Sequence, residues 1–412
     1  MSKQRIQLSD HFTYSRLLRF VLPTVGTMLF TSIYGIVDGL CVSNFVGKTA
    51  FAAVNLIMPL PMLLGTIGFM LGTGGSAIVG ITLGEGDQKK ADRYFTLFLL
   101  AALISVSVLA VLGIVFLRTI AVLLGAKGEL LDYAVRYGRI LMVSLPTFAL
   151  QNMFQSFFVT AEKPHLGFWF TVGAGCTNMV LDVLMVGIWG WGVEGAAIAT
   201  FISQLVGGVL PVFYFIDRSN SSRLHLCKTS FYSKVLRDAC INGSSELMTN
   251  LSMSLVNILY NFQLLRLAGE NGVAAYGVIM YAAFLFVAVF VGYAVGSAPI
   301  VSFHYGARNH AEVHNLYRKS LRLIAVVAVT LTLASMFIIP CVARIFVGYD
   351  AELLALTSRA FRLYALSFLI MGFNVYASSF FTALGDGVTS ALISFLRTLL
   401  FQLAALLLLP AL

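Results

Sequence analysis

The chain has 412 residues, 59% of them apolar and only 11% charged, against about 45–50% and about 25% in soluble domains. So much apolar surface excludes a water-soluble globular protein. The net charge of +9 does not indicate nucleic acid, because no aromatic or glycine pattern for binding accompanies the basic residues.

Eleven stretches, each near the ~20 apolar residues that cross a bilayer, follow one another. The first, 17–40, holds Pro23 and Asp38. It lacks a small-residue cleavage pattern, so it reads as a span and not as a removed signal. Spans two to four cover 50–83, 94–117 and 134–160. Span five, 165–189, carries Asn178 and Asp182, and span six, 193–216, carries Thr200. A basic stretch, 217–236, leads into span seven, 237–264, which carries Glu246. Spans eight to eleven cover 273–305, 320–342, 358–383 and 388–412, the last containing Arg397. The longest of these imply tilt or extension beyond the bilayer.

With the amino terminus inside, the segments on that side hold 17 Lys and Arg against 9 on the other. This excess places the amino terminus in the cytoplasm of a multi-pass protein of the cell inner membrane. The basic stretch 217–236 is then a topology determinant and a linker.

A repeat organises the spans. Ala52-Ala53-Val54-Asn55 recurs 222 residues later as Ala274-Ala275-Tyr276-Gly277, and Gly84-Glu85-Gly86-Asp87 as Gly306-Ala307-Arg308-Asn309. The same offset takes Asn152 to Asn374, Ser156 to Ser378, Phe158 to Phe380 and Thr160 to Thr382. The expected architecture is therefore all-α, with an amino-terminal lobe over 1–216 and a carboxyl-terminal lobe over 237–412. Repeated halves of membrane helices are the plan of secondary transporters. Residue 412 corresponds to 190, so span six has no partner. The expectation is that a twelfth helix lies beyond this sequence.

Buried charge marks the candidate site, since a charged group within a span is costly and by default functional. Asp38 and Asp182 both fall in the outer half of their spans, and Asn178 shares a helical face with Asp182. Thr200 lies one to two turns below the outer end of span six, at a similar depth. Two carboxylates with an amide and a hydroxyl suit a sodium ion or a shared proton. Pro23 removes a backbone hydrogen bond and is a candidate hinge. Glu246 and Arg397 share another depth, about ten residues from the inner face, and are expected to form an ion pair. The glycines at 72, 74, 75, 292 and 296 permit close helix approach. The 33 Phe and 14 Met residues suit an adaptable apolar cavity, and equally a lipid-facing surface.

Several stretches together resemble the multidrug and toxic compound extrusion (MATE) family, and most of all its bacterial MepA-like branch. They are Ile36-Val37-Asp38-Gly39, Ala53-Val54-Asn55-Leu56-Ile57-Met58-Pro59, Gly72-Thr73-Gly74-Gly75-Ser76-Ala77, Leu83-Gly84-Glu85-Gly86-Asp87, Asn178 with Asp182, and Gly195-Ala196-Ala197-Ile198-Ala199-Thr200. The resemblance runs from Pro23 to Arg397. It implies two six-helix lobes in a V and cation-coupled export of small organic, cationic compounds. It also implies a cation site that matches Asp38, Asn178, Asp182 and Thr200, with a helix-one proline matching Pro23. Another branch uses a glutamate in helix seven and an aspartate in helix ten, where this chain is similar in position but has Ser254 and Asn374.

The expected activity is thus antiport of organic cations against Na+ or H+ by a monomer in the lipid bilayer, with no cofactor. A flippase for lipid-linked sugars would need several inward-facing Arg, and the only clear mid-span Arg is Arg397. A membrane enzyme should show clustered acids, His or metal ligands at one face, and the short loops show none. The five Cys and six His are scattered, with no C-x-x-C spacing. No phosphate-binding glycine run suggests ATP.

Overall fold

The computed structural model describes residues 6–348, 350–408 and 410. Among them there are helices and no strands. In chain order these are α1 (Tyr14–Phe45), α2 (Lys48–Ile57), α3 (Pro59–Gly84), α4 (Gln88–Leu123), α5 (Glu129–Thr160), α6 (Pro164–Asp182), α7 (Gly192–Gly208) and α8 (Leu210–Ile216). The carboxyl half follows with α9 (Ser233–Asn242), α10 (Ser244–Gly306), α11 (His310–Val347), α12 (Ala351–Ala365), α13 (Phe368–Ala383), α14 (Gly387–Phe395) and α15 (Phe401–Leu408). Two π-helical turns, Val183–Ile188 and Leu396–Leu400, extend α6 and α14.

All eleven expected spans fall on helix, but they differ in kind. Eight helices among the described residues are long and apolar enough to cross a bilayer by themselves. A ninth crossing results if α12 and α13, bent by 48° to each other, form one span. Two expected spans fail that test because they are too polar for lipid on every side. They are α5, which opens with Glu129 and Asp132, and the first arm of α10, which opens with Glu246. Of the two, α5 is largely buried in the bundle, whereas the first arm of α10 keeps Ile258, Phe262 and Leu267 exposed. Spans seven and eight join as the two arms of α10, which break at Gly269 (φ 63°, ψ −155°), a left-handed conformation that glycine adopts without penalty.

The repeat is visible in how helices begin. The Asp87 side chain caps α4 by accepting the Lys90 N–H, and 222 residues later Asn309 caps α11 by accepting the Glu312 N–H. The residues before these caps, Gly86 and Arg308, both have positive φ (88° and 56°). The chain therefore turns the same corner in both halves, once with glycine and once against the steric preference of a side chain.

Where the halves meet, the contact is made by backbone. A Cβ on Gly84 would lie 2.0 Å from the Phe303 carbonyl oxygen, and one on Gly306 would lie 2.1 Å from that of Ile81. Ile81 and Phe303 are again 222 apart, so this is one contact repeated about a pseudo-two-fold axis. Gly80 faces Ser302, its own repeat mate, on the same line. Small residues are what let α3 and α10 approach so closely. One large apolar core then spans both halves, from Leu17 and Phe157 to Phe361 and Phe368.

The segment before α1 is tied to both halves. The Leu8 N–H donates to Glu162 at 2.9 Å, at the α5–α6 turn, and the Phe12 N–H donates to Glu312 at 2.9 Å, on α11. His11 Nδ1 pairs with the same Glu312 at 2.6 Å. The linker between the halves lies on this face too. His225 N–H donates to Asp92 at 3.0 Å, and Arg223 forms an ion pair with Glu162 at 2.5 Å.

Candidate functional site

A second, smaller core of Ala50, Ala53, Ile57, Tyr137, Val193 and Ala197 lies within the amino half. Alanine dominates because α2, α5 and α7 pack closely there, and the small side chains leave room for polar groups from α1 and α6. Asp38 enters from the carboxyl-terminal part of α1, and Asp182 closes α6. Their carboxyl groups are within hydrogen-bonding reach of each other. Asp182 is 0% exposed and Asn178, one turn earlier on the same face, 2%.

No donor serves these acids. Both oxygens of Asp182 and one of Asp38 are buried without a hydrogen-bond partner in the protein. The Asn178 amide nitrogen, the Thr200 hydroxyl and the Gln204 carbonyl oxygen are buried and unpartnered as well. Buried polar atoms are paired in the great majority of cases, and each orphan costs about 1–3 kcal/mol. Six such atoms on α1, α6 and α7 mark a place built to receive something charged. Two facing carboxylates repel unless a proton or cation lies between them.

The sequence-predicted residues thus divide. Asp38 and Asp182 meet, and Asn178 stands beside Asp182. Thr200 faces an adjoining cavity of about 50 Å³, together with Gln204, Ser144 and Met58. A cavity of that size has room for one water. Tyr137 connects the two places. It is close enough to both acids to feel their charge, and its hydroxyl reaches the Met58 sulfur at 4.0 Å. Tyr34, one turn before Asp38 on α1, and Cys41, just after it, are on the same stretch of helix. Sequence reasoning missed Tyr137, Gln204 and the π turn Val183–Ile188 that follows Asp182 directly. A tyrosine within an apolar span was the available signal for Tyr137, and Gln204 lies one turn beyond Thr200. Nothing in Val183–Ile188 distinguishes a π turn from ordinary helix. Such turns recur at functional sites because the widened ladder displaces the backbone.

Pro23 is buried in the first half of α1, which continues through it, and the Thr27 hydroxyl donates to the Pro23 carbonyl at 2.9 Å. Among the described residues no three His, Cys, Asp or Glu cluster in a way that would hold a metal.

The expected ion pair in the carboxyl half needs correction. Glu246 and Arg397 do feel each other's charge. No contact within 4.0 Å joins them, however, and Arg397 Nη1 is buried without a partner. Arg397 sits in the π turn Leu396–Leu400, a local change of winding that depth arithmetic does not include. Ser254 donates to the Asn250 carbonyl of its own helix at 3.0 Å. No carboxylate occupies that position or Asn374, so this half lacks the acid pair of the other.

The MatE family model matches residues 23–184 and again 247–406. The multidrug export protein MepA of Staphylococcus saprophyticus is 20% identical over 387 residues, covering 93% of this chain and 84% of MepA. MepA of Staphylococcus haemolyticus is 20% identical over 385 residues, with the same coverage of both chains. Among solved structures, a MATE protein crystallised in complex with MaL6 superposes with a TM-score of 0.90 at 23% identity, covering 97% of this chain and 89% of that one. A MOP superfamily transporter from Pyrococcus furiosus, described as having a binding pocket of reverse polarity, superposes with a TM-score of 0.89 at 23% identity, covering 98% and 91%.

Proposed function

Since the chain belongs to the MATE family of transporters, is MepA-like within it and is no enzyme, we propose that it exports small organic cations in exchange for Na+ or H+. The observation that carries this reading is the buried Asp38–Asp182 pair without donors. The Asn178 amide beside the pair and the Thr200 hydroxyl in the adjoining cavity would add neutral oxygens to the two carboxylates, and oxygen ligands suit a hard cation. A bound cation satisfies atoms that are otherwise orphaned, so binding and release favour different arrangements of α1, α6 and α7. That difference in free energy is what couples an ion gradient to movement of a second solute.

Two places let those helices respond. Pro23 interrupts the hydrogen-bond ladder of α1, and Val183–Ile188 widens that of α6 just beyond Asp182. The amino-terminal lobe, 1–216, carries the ion site, the linker 217–236 lies on the cytoplasmic face, and the carboxyl-terminal lobe, 237–412, supplies the other wall of the substrate path. The protein works as a monomer in the plasma membrane with its amino terminus inside. A lone unpartnered arginine, Arg397, does not make a pyrophosphate cavity, so lipid-linked sugars are a poorer fit.

Proteoliposomes loaded with a fluorescent cation such as ethidium test this, with sodium and proton gradients imposed in turn. Efflux driven by one gradient and lost in the Asp38→Asn and Asp182→Asn variants is expected. Gradient-driven efflux that persists in both variants removes the pair from coupling.

A further inference from the structure

A second polar site lies away from the acid pair. A cavity of about 380 Å³ opens at the amino-terminal face, between the start of α1 and the first turns of α11, lined by Tyr14, His314, Asn315, Arg318, Lys319 and Arg322. We propose that this cavity holds the phosphate of an anionic phospholipid headgroup, with the acyl chains lying along α11.

Four observations support it. The lining residues of α11 are three, four and seven apart, so they form one stripe of the helix. Its cations are not neutralised: among the described residues no carboxylate lies within 4.0 Å of Arg318, Lys319 or Arg322. Glu312, the acid at the head of α11, is already engaged by Phe12, His11 and Asn315. The cations are also held in place and not merely solvated. Lys319 donates to the Phe12 carbonyl at 2.6 Å and sits 5.5 Å from the centre of the Tyr14 ring, while Arg322 donates to the Tyr14 hydroxyl at 3.3 Å.

The fourth observation selects a lipid over free phosphate. Beyond Arg322 the same stripe of α11 turns apolar and stays exposed, through Val326 (63%), Val329 (50%), Leu333 (53%) and Phe337 (82%). Leu18 and Leu22 continue the Tyr14 side of the cavity along α1, also exposed. A positive cavity that runs into a continuous apolar track has the shape of an amphiphile. Basic residues distributed only to set topology need no cavity, no fixed geometry and no such track.

Native mass spectrometry of the purified full chain, released from nanodiscs of mixed phosphatidylglycerol and phosphatidylcholine, reads the preference directly. Each Lys or Arg near an anionic surface contributes about fivefold in binding, or about 1 kcal/mol. The wild type should therefore retain phosphatidylglycerol about 25-fold better than Arg318→Gln/Arg322→Gln. Arg318→Lys/Arg322→Lys should keep most of that retention, and Arg118→Gln/Lys127→Gln on the opposite face should change nothing. If the glutamine variant does not fold, comparing the two phospholipids on the wild type still decides the matter. Equal retention of both lipids, or equal retention by wild type and the glutamine variant, overturns the proposal. Displacement of the lipid by millimolar inorganic phosphate overturns it in favour of a free-phosphate site.

Discussion

Asp38 of the amino half falls, 222 residues on, at Tyr260 of the carboxyl half, while Asn178 and Asp182 fall at Leu400 and Ala404. Where one half has facing acids, the other has Tyr260 stacked on Tyr276, with ring centres 5.4 Å apart, and the Tyr276 hydroxyl donates to Asn257 at 2.6 Å. The positions of Asp38, Asn178 and Asp182 thus carry no acid and no amide here. The caps at Asp87 and Asn309 and the glycines at 84 and 306 behave in the opposite way, keeping the same role in both halves. Shape follows the repeat because it depends on backbone approach and chain direction, which tolerate few substitutes. Buried charge is under no such backbone constraint, and it differs between the halves.

The sharpest break in this comparison is at the acids. Asp182→Asn should reduce gradient-driven efflux at least about 100-fold, of the order seen when a function rests on one buried charge, or about 2.7 kcal/mol. Membrane insertion, followed by size-exclusion profile, should be unaffected. Next come the axis glycines. Gly84→Ala and Gly306→Ala each force a Cβ into a backbone oxygen, and overpacking of that kind costs about 1–3 kcal/mol. Both should lower the melting temperature, and by similar amounts. A large difference between the two would show that the axis is not symmetric. Gly35→Ala meets nothing within 4 Å and serves as the neutral control.

A smaller effect is expected between Glu246 and Arg397, which interact without touching. The double variant Glu246→Gln/Arg397→Gln should be more stable than the sum of the single changes by about 0.5–1 kcal/mol, the low end for coupled neighbours. Strict additivity in thermal melts would mean that the two charges are independent. Smallest of all, Tyr260→Phe should leave both transport and its ion dependence unchanged. A change in coupling ion there would mean that the carboxyl half contributes to the site after all.

Much of this was legible in the sequence. The offset of 222 fixed which helices pair across the axis, because homologous turns recur at Gly86 and Arg308. Depth along each span brought Asp38 and Asp182 to one level, since a helix rises at a constant rate per residue. What depth cannot encode is rotation about the helix axis, and both surprises are of that kind. The π turns at 183–188 and 396–400 change the local winding, and Arg397, which lies in the second, makes no contact within 4.0 Å with Glu246. Tyr137 and Gln204 were hidden for a related reason. Whether a polar residue in a span faces a site or a neighbour depends on packing between helices, which one chain's periodicity does not contain.

The tether before α1 has a consequence for how the protein is made. His11 and Glu312 are 301 residues apart in the chain. At roughly 5–20 residues per second of synthesis, the partner of His11 and Phe12 emerges roughly 15 to 60 s after they do. Leu8 can meet Glu162 in about half that time, so the segment is held to the first half before the second exists. Residues made before either half are then among the last to reach their final place. Their docking on Glu312 reports that both halves have been inserted and brought together.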